Sequence, residues 1–415
     1  MVFKLNKLTV IFEKYVHKVM HEWKVPGVAI AVVKDNSIIY VKGFGTKKAG
    51  CYSPVDSKTI FQIGSISKSF TAALVSMLVD EGKLSWNDKV TDHLPYFKLN
   101  DPHATNEFTI EDLMSHRSGL PPHSGRLLPA TLKGYQSSVN TALGHYYSYP
   151  EPGKEVTTIP LNWPYHYWIY TVAPAGGINS NVIDMARWLE LHLKLGNFKG
   201  KRLLTEDNVR FMHSPKIQAD IGYWEETRCY CEAWVHSEYK PYPILWHNGG
   251  TSGMKSMAAM VPEECIGIVI LSNLYESLVP EALCRFWFDL WFGNPLTDWS
   301  LKLLRKQASV EGLQTPPLSY TPPRPLKYYT GIYYNHLYGP ITIAKDNRSL
   351  TVTMGPRKIK KKFKHWGGDT FVLYWPGVLT SGSGVQFYSD KYGRVDKVEI
   401  AGMNDDIKGY FTKTR

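Results

Sequence analysis

The chain carries the stretch FQIGSISKSF at residues 61–70, which places a serine, Ser65, three positions before a lysine, Lys68. An apolar run with helical spacing follows, and residues three apart on a helix share one face. Ser65 would then lie at the helix start, where free N–H groups and the positive end of the dipole favour an alkoxide or a carbonyl oxyanion. Lys68 is a candidate general base for the serine hydroxyl if burial or a neighbouring cation lowers the pKa of its amine. In the alternative interpretation, Ser65 is an ordinary helix N-cap and Lys68 is solvated on the first turn.

A second serine and lysine have the same spacing, at Ser252 and Lys255. A chain of this length is expected to contain about one or two such spellings by chance, so the spelling alone is weak evidence. The second pair lies among glycines beside a short apolar strand, with no helix to align its side chains. We therefore predict that the first pair, with its glycine turn and long amphipathic helix, is the functional one.

Composition indicates a soluble globular protein of two or three domains: 415 residues, of which 43% are hydrophobic and 20% are charged. Residues 1–23 lack the uninterrupted apolar segment of a secretory signal, and no apolar run is long enough to cross a bilayer. The compartment stays open. Five cysteines form no Cys-x-x-Cys pair and no zinc spacing, so at least one is unpaired: Cys51, Cys229, Cys231, Cys265 and Cys284.

The net charge of +11 arises largely from one basic run at residues 357–364. An anionic partner such as a membrane surface, a cell-wall polymer or nucleic acid is one interpretation. We prefer the other, a solvated strand edge that its lysines protect against aggregation, because one local run is not a basic stripe along a whole surface.

Periodicity predicts helices and an antiparallel sheet over residues 1–307. Prolines cluster at residues 308–325, and this composition predicts a linker. Residues 92–109 indicate a loop, and Thr109 opens a short helix with a capping box that Gly119 ends. No element is predicted over 121–175. The remaining predictions are helices near 8–19, 65–81, 181–195 and 281–292, a helix beginning at Thr205, and strands at 27–33, 38–43, 244–248, 256–261 and 266–271.

Short alternating strands separated by turns fill residues 326–415 and predict a small all-β barrel or sandwich. The strands lie near residues 329–333, 341–343, 349–352, 371–374, 385–387 and 398–400.

A second candidate site element is the segment WHNGGTSG at residues 246–253. Gly249 and Gly250, adjacent at a strand edge, allow close approach of a substrate, and their N–H groups are candidate oxyanion donors. His247 would place a polar or cationic head beside them, although a lone histidine is more often an ordinary surface or core residue.

Together, four stretches resemble the serine β-lactamase and penicillin-binding protein superfamily, in particular its class C β-lactamase-like branch, over about residues 10–295. The tail from about residue 326 resembles the lipocalin-like β domain of some members. The four stretches occur in the order Ser65-Ile66-Ser67-Lys68, residues 113–120, residues 174–180 and His247-Asn248-Gly249.

This resemblance implies an α+β fold, with an antiparallel sheet flanked by helices, a reduced helical subdomain and a C-terminal barrel. It implies that Ser65 is the acylated nucleophile, that Lys68 is its base, and that the N–H groups of Ser65 and Gly250 bind the oxyanion. His247 would orient a substrate carboxylate or assist proton movement. Gly176 and Gly177 would form a structural turn beside the cleft.

The sequence departs from the family in its second motif, Tyr-x-Asn or Ser-x-Asn. Residues 120–174 contain no Tyr-x-Asn, and the one Ser-x-Asn spelling there, at 138–140, lies in a stretch with no predicted element. The spelling at 333–335 lies in the C-terminal domain, the wrong context. The short distance between Ser65 and His247 and the junction-like passage at 127–135 indicate that several dozen residues are missing. Candidate substitutes for the absent tyrosine are Tyr135, Tyr146 and Tyr167.

We therefore expect a serine hydrolase that cleaves an amide or ester of a small molecule or peptide, with no cofactor, metal or nucleic-acid partner. Motifs for other enzyme classes are absent from the sequence. The alternative is a catalytically impaired member that serves as a binding or structural module. A third hypothesis is that the loss leaves residues 121–170 incompletely packed. Oligomeric state stays open.

Overall fold

The structure, a computed structural model, describes residues 2–118, 140–147, 156–160, 168–219, 226–275, 277–310, 321–336, 338–355, 358–373, 383–400 and 410–414. The described residues divide into two compact units, one up to Lys306 and one from Gln307. Residues 311–320 of the predicted linker lie outside the described residues, and so does most of 121–170. The predicted domain limits and the packing hypothesis for 121–170 stay predictions.

The helices, in chain order, are α1 Val2–Glu22, α2 Ser67–Asp80, α3 Val90–His93, α4 Pro102–Glu107, α5 Ile110–Met114, α6 Ala173–Gly176, α7 Val182–Leu193, α8 Glu206–His213, α9 Val279–Phe292 and α10 Trp299–Val310. Short 3-10 turns occur at Gly64–Ile66, Trp168–Val172, Pro262–Glu264 and Leu326–Tyr328.

The strands of the first unit are β1 Gly27–Lys34, β2 Ser37–Gly45, β3 Phe61–Gln62, β4 His145–Tyr147, β5 Val156–Thr158, β6 Asn179–Ser180, β7 Asn197–Phe198, β8 Lys201–Arg202, β9 Ile217–Ala219, β10 Arg228–Tyr230, β11 Val235–Ser237, β12 Ile244–Thr251, β13 Met254–Val261 and β14 Ile266–Ser272. Those of the second unit are β15 Gly331–Asn335, β16 Gly339–Asp346, β17 Ser349–Met354, β18 Ile359–Gly367, β19 Thr370–Leu373, β20 Ser383–Ser389, β21 Val395–Ile400 and β22 Tyr410–Lys413.

An antiparallel eight-stranded sheet organises the first unit, in the order β2-β1-β14-β13-β12-β11-β10-β9. Alternate side chains of a strand enter opposite faces, and β1 supplies both cores. Val28, Ile30 and Val32 pack with α1 and α9 on one face. Ala29, Ala31 and Val33 pack with α7 and the segment before α2 on the other. The buried, β-branched sequence of β1 thus explains a sheet covered by helices on both sides.

A third core, formed by α2, α3, α5, α7 and α8, lies beyond the second face. Two predictions are wrong here. Residues 92–109 are not a loop throughout, because α4 begins with Pro102 at its first turn and with the Asp101 carboxylate capping the N–H of His103. The capping box at Thr109 and Asp112 is present, but α5 ends at Met114 instead of near Gly119, with His116 at a positive φ of 60°.

The second unit is a closed antiparallel barrel in which β15 to β22 follow chain order around the wall. Its interior is apolar, with Tyr333, Phe387 and Phe411 at its centre. The sheet flanked by helices and this barrel confirm the predicted fold class; the likeness to lipocalins stays a prediction.

The basic run forms β18, which was not predicted as a strand of the barrel wall. It is not a strand edge, because β18 pairs with β17 on one side and with β19 on the other. Phe363 points into the core, whereas Lys360, Lys362 and Lys364 are exposed. A closed barrel has no edge to protect, so these lysines solvate its outer wall.

No helix in the described part of the chain combines the length and apolarity needed to cross a membrane. The five cysteines are all described, and each is a free thiol.

Candidate active site

Ser65 lies in the 3-10 turn Gly64–Ile66, immediately before α2. Gly64 has a positive φ of 53°, and a Cβ there would lie 2.6 Å from the backbone nitrogen of Gly250. Glycine is therefore required, both by the conformation and by the contact with β12. The residue at the N-cap of α2 is Ile66, so Ser65 does not have the N-cap role that was the alternative.

Helix α2, which follows Ser65, is fixed by contacts with α7. The ring of Phe70 stacks on Trp188 of α7 with centroids 3.8 Å apart. The Trp188 indole N–H donates to Ser69 Oγ, which itself donates to the carbonyl of Ile66. These contacts fix the first turn of α2 and so the direction in which Lys68 projects.

The Lys68 amine meets the Ser65 hydroxyl, with 2.8 Å between Nζ and Oγ. Nζ also lies 3.2 Å from the carbonyl oxygen of Ala175. Burial lowers the pKa of the Lys68 amine to about 8, because a desolvated ammonium is disfavoured. A substantial fraction of Lys68 is therefore neutral near physiological pH, as a base for Ser65 requires.

The turn at residues 173–177 delivers the Ala175 carbonyl. Thr71 Oγ1 of α2 donates to the carbonyl of Pro174 at 2.6 Å, which ties this turn to the helix of the nucleophile. A Cβ on Gly176 would lie 2.5 Å from Ile169 Cδ1, and one on Gly177 would lie 2.8 Å from the Cα of Ala173. Packing against the backbone therefore requires a glycine at 177, whereas a side chain at 176 would have to move the end of Ile169.

Strand β12 forms the opposite wall of the site. A Cβ on Gly249 would lie only 2.0 Å from the carbonyl oxygen of Ile63. Ser256 Oγ of β13 donates to that same carbonyl at 2.7 Å. These contacts bring the backbone of Gly250 against that of Gly64, next to Ser65, and the Tyr275 ring covers Gly250 on its other side.

His247 is buried, with 7% of its surface exposed. Its Nδ1 lies 2.5 Å from the carbonyl oxygen of Asn248, and its Nε2 lies 3.2 Å from the hydroxyl of Tyr230. Burial and then the Lys68 charge lower the pKa of His247 to about 3. The imidazole is neutral at physiological pH.

Two residues that the sequence analysis did not assign to the site join this cluster. The ring of Tyr230 lies 4.7 Å from that of His116, and burial together with the Lys68 charge lowers the pKa of His116. His116 lies within the stretch 113–120 that carries part of the resemblance, so the sequence analysis could have named it as a candidate. Tyr230 gave no local signal, since β10 has only three residues and the contact crosses from β10 to β12.

Of the three proposed substitute tyrosines, Tyr135 and Tyr167 lie outside the described residues. Tyr146 is half-buried in the ribbon that β4 forms with β5, where it pairs with Thr157.

The second serine–lysine pair is arranged differently. Ser252 lies in the turn between β12 and β13, and Lys255 pairs with the buried Glu281 at 3.1 Å. The two side chains are not aligned by a helix, as predicted. Within the described ranges, no cluster of three or more His, Cys, Asp or Glu side chains has the arrangement needed to hold a metal ion.

Comparison with known proteins gives family matches over most of the chain. The Beta-lactamase family model matches residues 12–140 and 134–285. A second model, a domain of unknown function (DUF3471), matches residues 315–411.

Curated relatives include the "Unguisins hydrolase ungD" of Aspergillus violaceofuscus, 25% identical over 465 positions that cover 87% of this chain and 82% of the relative. The "Protein flp" of Staphylococcus aureus strain N315 is 32% identical over 65% of this chain and 64% of its own length.

Solved structures share the fold at low identity. The octameric penicillin-binding protein homologue from Pyrococcus abyssi has a TM-score of 0.59 and 19% identity, covering 98% of this chain and 100% of its own. A class C β-lactamase from Rhodobacter sphaeroides has a TM-score of 0.52 and 18% identity, covering 68% of this chain and 98% of its own. Since the family model spans more than half of the chain, this protein belongs to the Beta-lactamase family.

Proposed function

We propose that the protein is a serine hydrolase that cleaves an ester or amide through an acyl-enzyme on Ser65. The observation that carries the proposal is the half-buried Lys68 amine, 2.8 Å from Ser65 Oγ and with its pKa lowered to about 8. An activated serine needs a base at hydrogen-bond distance with a pKa near the working pH.

In the proposed reaction, neutral Lys68 takes the proton of Ser65 Oγ as this oxygen attacks the substrate carbonyl carbon. The backbone N–H groups of Ser65 and Gly250 stabilise the oxyanion that forms. The tetrahedral intermediate expels the leaving group, which receives the proton from Lys68, and the acyl group stays on Ser65. Water then attacks the acyl carbon while neutral Lys68 takes one of its protons. Lys68 returns this proton to Ser65 Oγ as the bond between Oγ and the acyl carbon breaks, which releases the acid product and free Ser65.

Ala175 contributes to this scheme through its carbonyl oxygen, which faces Lys68 Nζ at 3.2 Å. That contact orients the amine whether or not it carries a proton. The Beta-lactamase family membership and the hydrolase name of the Aspergillus relative support a hydrolytic reaction.

The absent Tyr-x-Asn motif supports the runner-up, a catalytically impaired member that serves as a binding or structural module. The family model matches in two pieces that meet at residues 134–140. This is the pattern expected where a chain lacks a segment of the family. The 465 aligned positions of the Aspergillus relative exceed the 415 residues of this chain, which agrees with a missing segment.

The second unit is proposed as a separate, lipocalin-like domain from residue 326, joined to a catalytic domain at 1–307 by the linker at 308–325. Its closed eight-stranded barrel supports this proposal.

Hydrolysis of 4-nitrophenyl esters by purified wild type, Ser65→Ala and Ser252→Ala tests the function. Loss of a catalytic nucleophile typically lowers kcat by about 10³-fold or more, so we expect Ser65→Ala to fall towards the uncatalysed rate. Ser252→Ala, the matched control, should stay within about threefold of wild type, because Ser252 lies outside the proposed machinery. Full activity in Ser65→Ala would rule the proposal out, and an inert wild type would favour the binding module.

A further inference from the structure

His247 has both ring nitrogens engaged inside the protein. The Asn248 carbonyl can only accept, so Nδ1 carries a hydrogen and donates at 2.5 Å. In the neutral ring Nε2 is then an acceptor, and the Tyr230 hydroxyl donates to it at 3.2 Å. A substrate group can use His247 only by displacing Tyr230.

The surroundings of His247 keep it uncharged. The ring is buried and faces Lys68 and His116, which both oppose a second positive charge, and the pKa of His247 falls to about 3. The Asn248 carbonyl favours the charged form but does not outweigh burial. Of the ring's two hydrogen-bond partners, neither is a carboxylate that would stabilise an imidazolium.

Tyr230 is a stable donor in this position. Burial, followed by the charge of Glu232, raises the pKa of Tyr230 above its ordinary value, so the hydroxyl keeps its proton. Its ring packs against His116 with centroids 4.7 Å apart. Burial raises the pKa of the neighbouring Glu232 to about 8, so this carboxyl is largely protonated at neutral pH.

Three cationic side chains of the described residues in this part of the first unit are already paired within the protein. Arg117 meets the Asp112 carboxylate at 2.8 Å, and Lys216 meets Glu111 at 3.2 Å. On β13, Lys255 is the register partner of Gly250 and pairs with Glu281 at 3.1 Å. A substrate carboxylate would compete with the protein's own carboxylates for any of these cations.

A carboxylate on the substrate would also make Lys68 a poorer base. A carboxylate within about 4–6 Å stabilises an ammonium and raises its pKa. Each unit of such a rise lowers the neutral fraction of the Lys68 amine about tenfold at pH 7, and the neutral amine is the base for Ser65.

We propose that the site takes neutral esters or amides and discriminates against substrates with a carboxylate near the scissile carbonyl, because Tyr230 occupies Nε2 of His247 and the buried ring is uncharged. This inference rests on the proposed acyl-enzyme function and names its substrate class. It replaces the expectation that His247 orients a substrate carboxylate. Tyr230 is a positioning residue in this scheme, since it acts through His247.

The test compares 4-nitrophenyl valerate with mono-4-nitrophenyl glutarate, which have the same chain length and leaving group but differ by a terminal methyl or carboxylate. We expect wild-type kcat/KM to be about tenfold or more higher for the valerate at pH 7.5, after correction for background hydrolysis. Equal values, or a preference for the glutarate, in a reaction that requires Ser65 would overturn the inference and leave the proposed function intact. If wild type hydrolyses neither ester and Ser65 forms no adduct, the proposed function fails and the inference fails with it.

Two variants test the assigned cause. His247→Lys introduces a cation and should lower the valerate-to-glutarate ratio about tenfold. Tyr230→Phe frees Nε2, so that a substrate carboxylate can stabilise a proton there and pair with the ring; the ratio should fall about threefold, whereas Tyr388→Phe, a control in the barrel, should leave it unchanged. General damage to the fold would lower both rates together and leave the ratio unchanged. An unchanged ratio in Tyr230→Phe with retained activity would therefore overturn the role of Tyr230.

Discussion

The first unit contains the pattern Ser-x-x-Lys at Ser65, at Ser237 and at Ser252, and the copies at Ser65 and Ser252 place their lysines in different surroundings. In the copy at Ser65 the serine precedes a helix, and the lysine amine lies 2.8 Å from the serine hydroxyl. In the copy at Ser252 the residues span a strand turn, and the lysine pairs with buried Glu281 at 3.1 Å.

Backbone geometry therefore decides whether the lysine amine meets the serine hydroxyl or a carboxylate. On α2, three residues make nearly one turn, so Lys68 returns to Ser65. Its hydrogen-bond partners among the described residues are the Ser65 hydroxyl and the Ala175 carbonyl, and neither is a carboxylate. On the hairpin, Gly253 has a positive φ of 82° and Lys255 enters β13 beside a carboxylate. The first lysine is suited to be a base, and the second is suited to hold the sheet to α9.

The largest effects are expected from substitution of the two lysines, which should impair different properties: the reaction rate for Lys68 and the stability for Lys255. Lys68→Met should lower kcat/KM by about 10²–10⁴-fold, the usual contribution of a proton-transfer group, with the free energy of unfolding unchanged or slightly raised. Lys255→Met should keep the rate within about threefold but lower the free energy of unfolding by about 3 kcal/mol, because Glu281 loses its cation in a buried site. Ester kinetics and urea denaturation measure the two effects. A large rate loss in Lys255→Met alone would reverse the assignment.

A smaller effect is expected when the wall facing Ser65 is displaced. Gly249→Ala places a Cβ 2.0 Å from the Ile63 carbonyl oxygen and should lower kcat/KM about 10²-fold, as for other misplacements of about 1 Å at a reacting centre. The matched control is Gly43→Ala on β2, whose Cβ would lie 2.1 Å from the Val55 carbonyl oxygen. Both variants should lose stability by about 1–3 kcal/mol, but only Gly249→Ala should lose rate per folded molecule. Equal rate losses would show that general strain is the cause.

The smallest effect is the pH dependence of the first pair. The Lys68 amine must be neutral to act, and burial lowers its pKa to about 8. We therefore expect kcat/KM to rise with pH, level off above about 8 and fall about tenfold for each unit well below it. His116 and His247 both have lowered pKa values, so neither titrates above pH 7. A flat profile from pH 6 to 9 would exclude Lys68 as the base.

Much of the fold was predictable because its signals are local. The uninterrupted apolar run of β1, the cap at Asn181 and the capping box at Thr109 are each decided within a few residues of chain. The order of β12, β13 and β14 follows from short turns between adjacent apolar runs. Ser65, Lys68 and Gly249 could be predicted as candidate site residues because each carries its own local requirement, a helix start or a close backbone approach; their roles in the reaction stay predictions.

The remainder depends on contacts between distant segments. The bond between Tyr230 and His247 crosses from β10 to β12, and no pattern in either strand indicates it. The carbonyl of Ala175 reaches Lys68 from a turn more than one hundred residues away. The strand β18 was missed because its many lysines hide the alternation of inward and outward side chains. This alternation becomes evident only from the pairing of β18 with β17 and β19. Helix α4 was missed because six residues are too few to show a period.

The most direct test of the central claim is intact mass after incubation with a fluorophosphonate, followed by peptide mapping. We expect a single adduct on Ser65, which should be lost in Ser65→Ala and retained in Ser252→Ala. No adduct on protein shown to be folded, or an adduct that persists in Ser65→Ala, would contradict the claim that Lys68 activates Ser65.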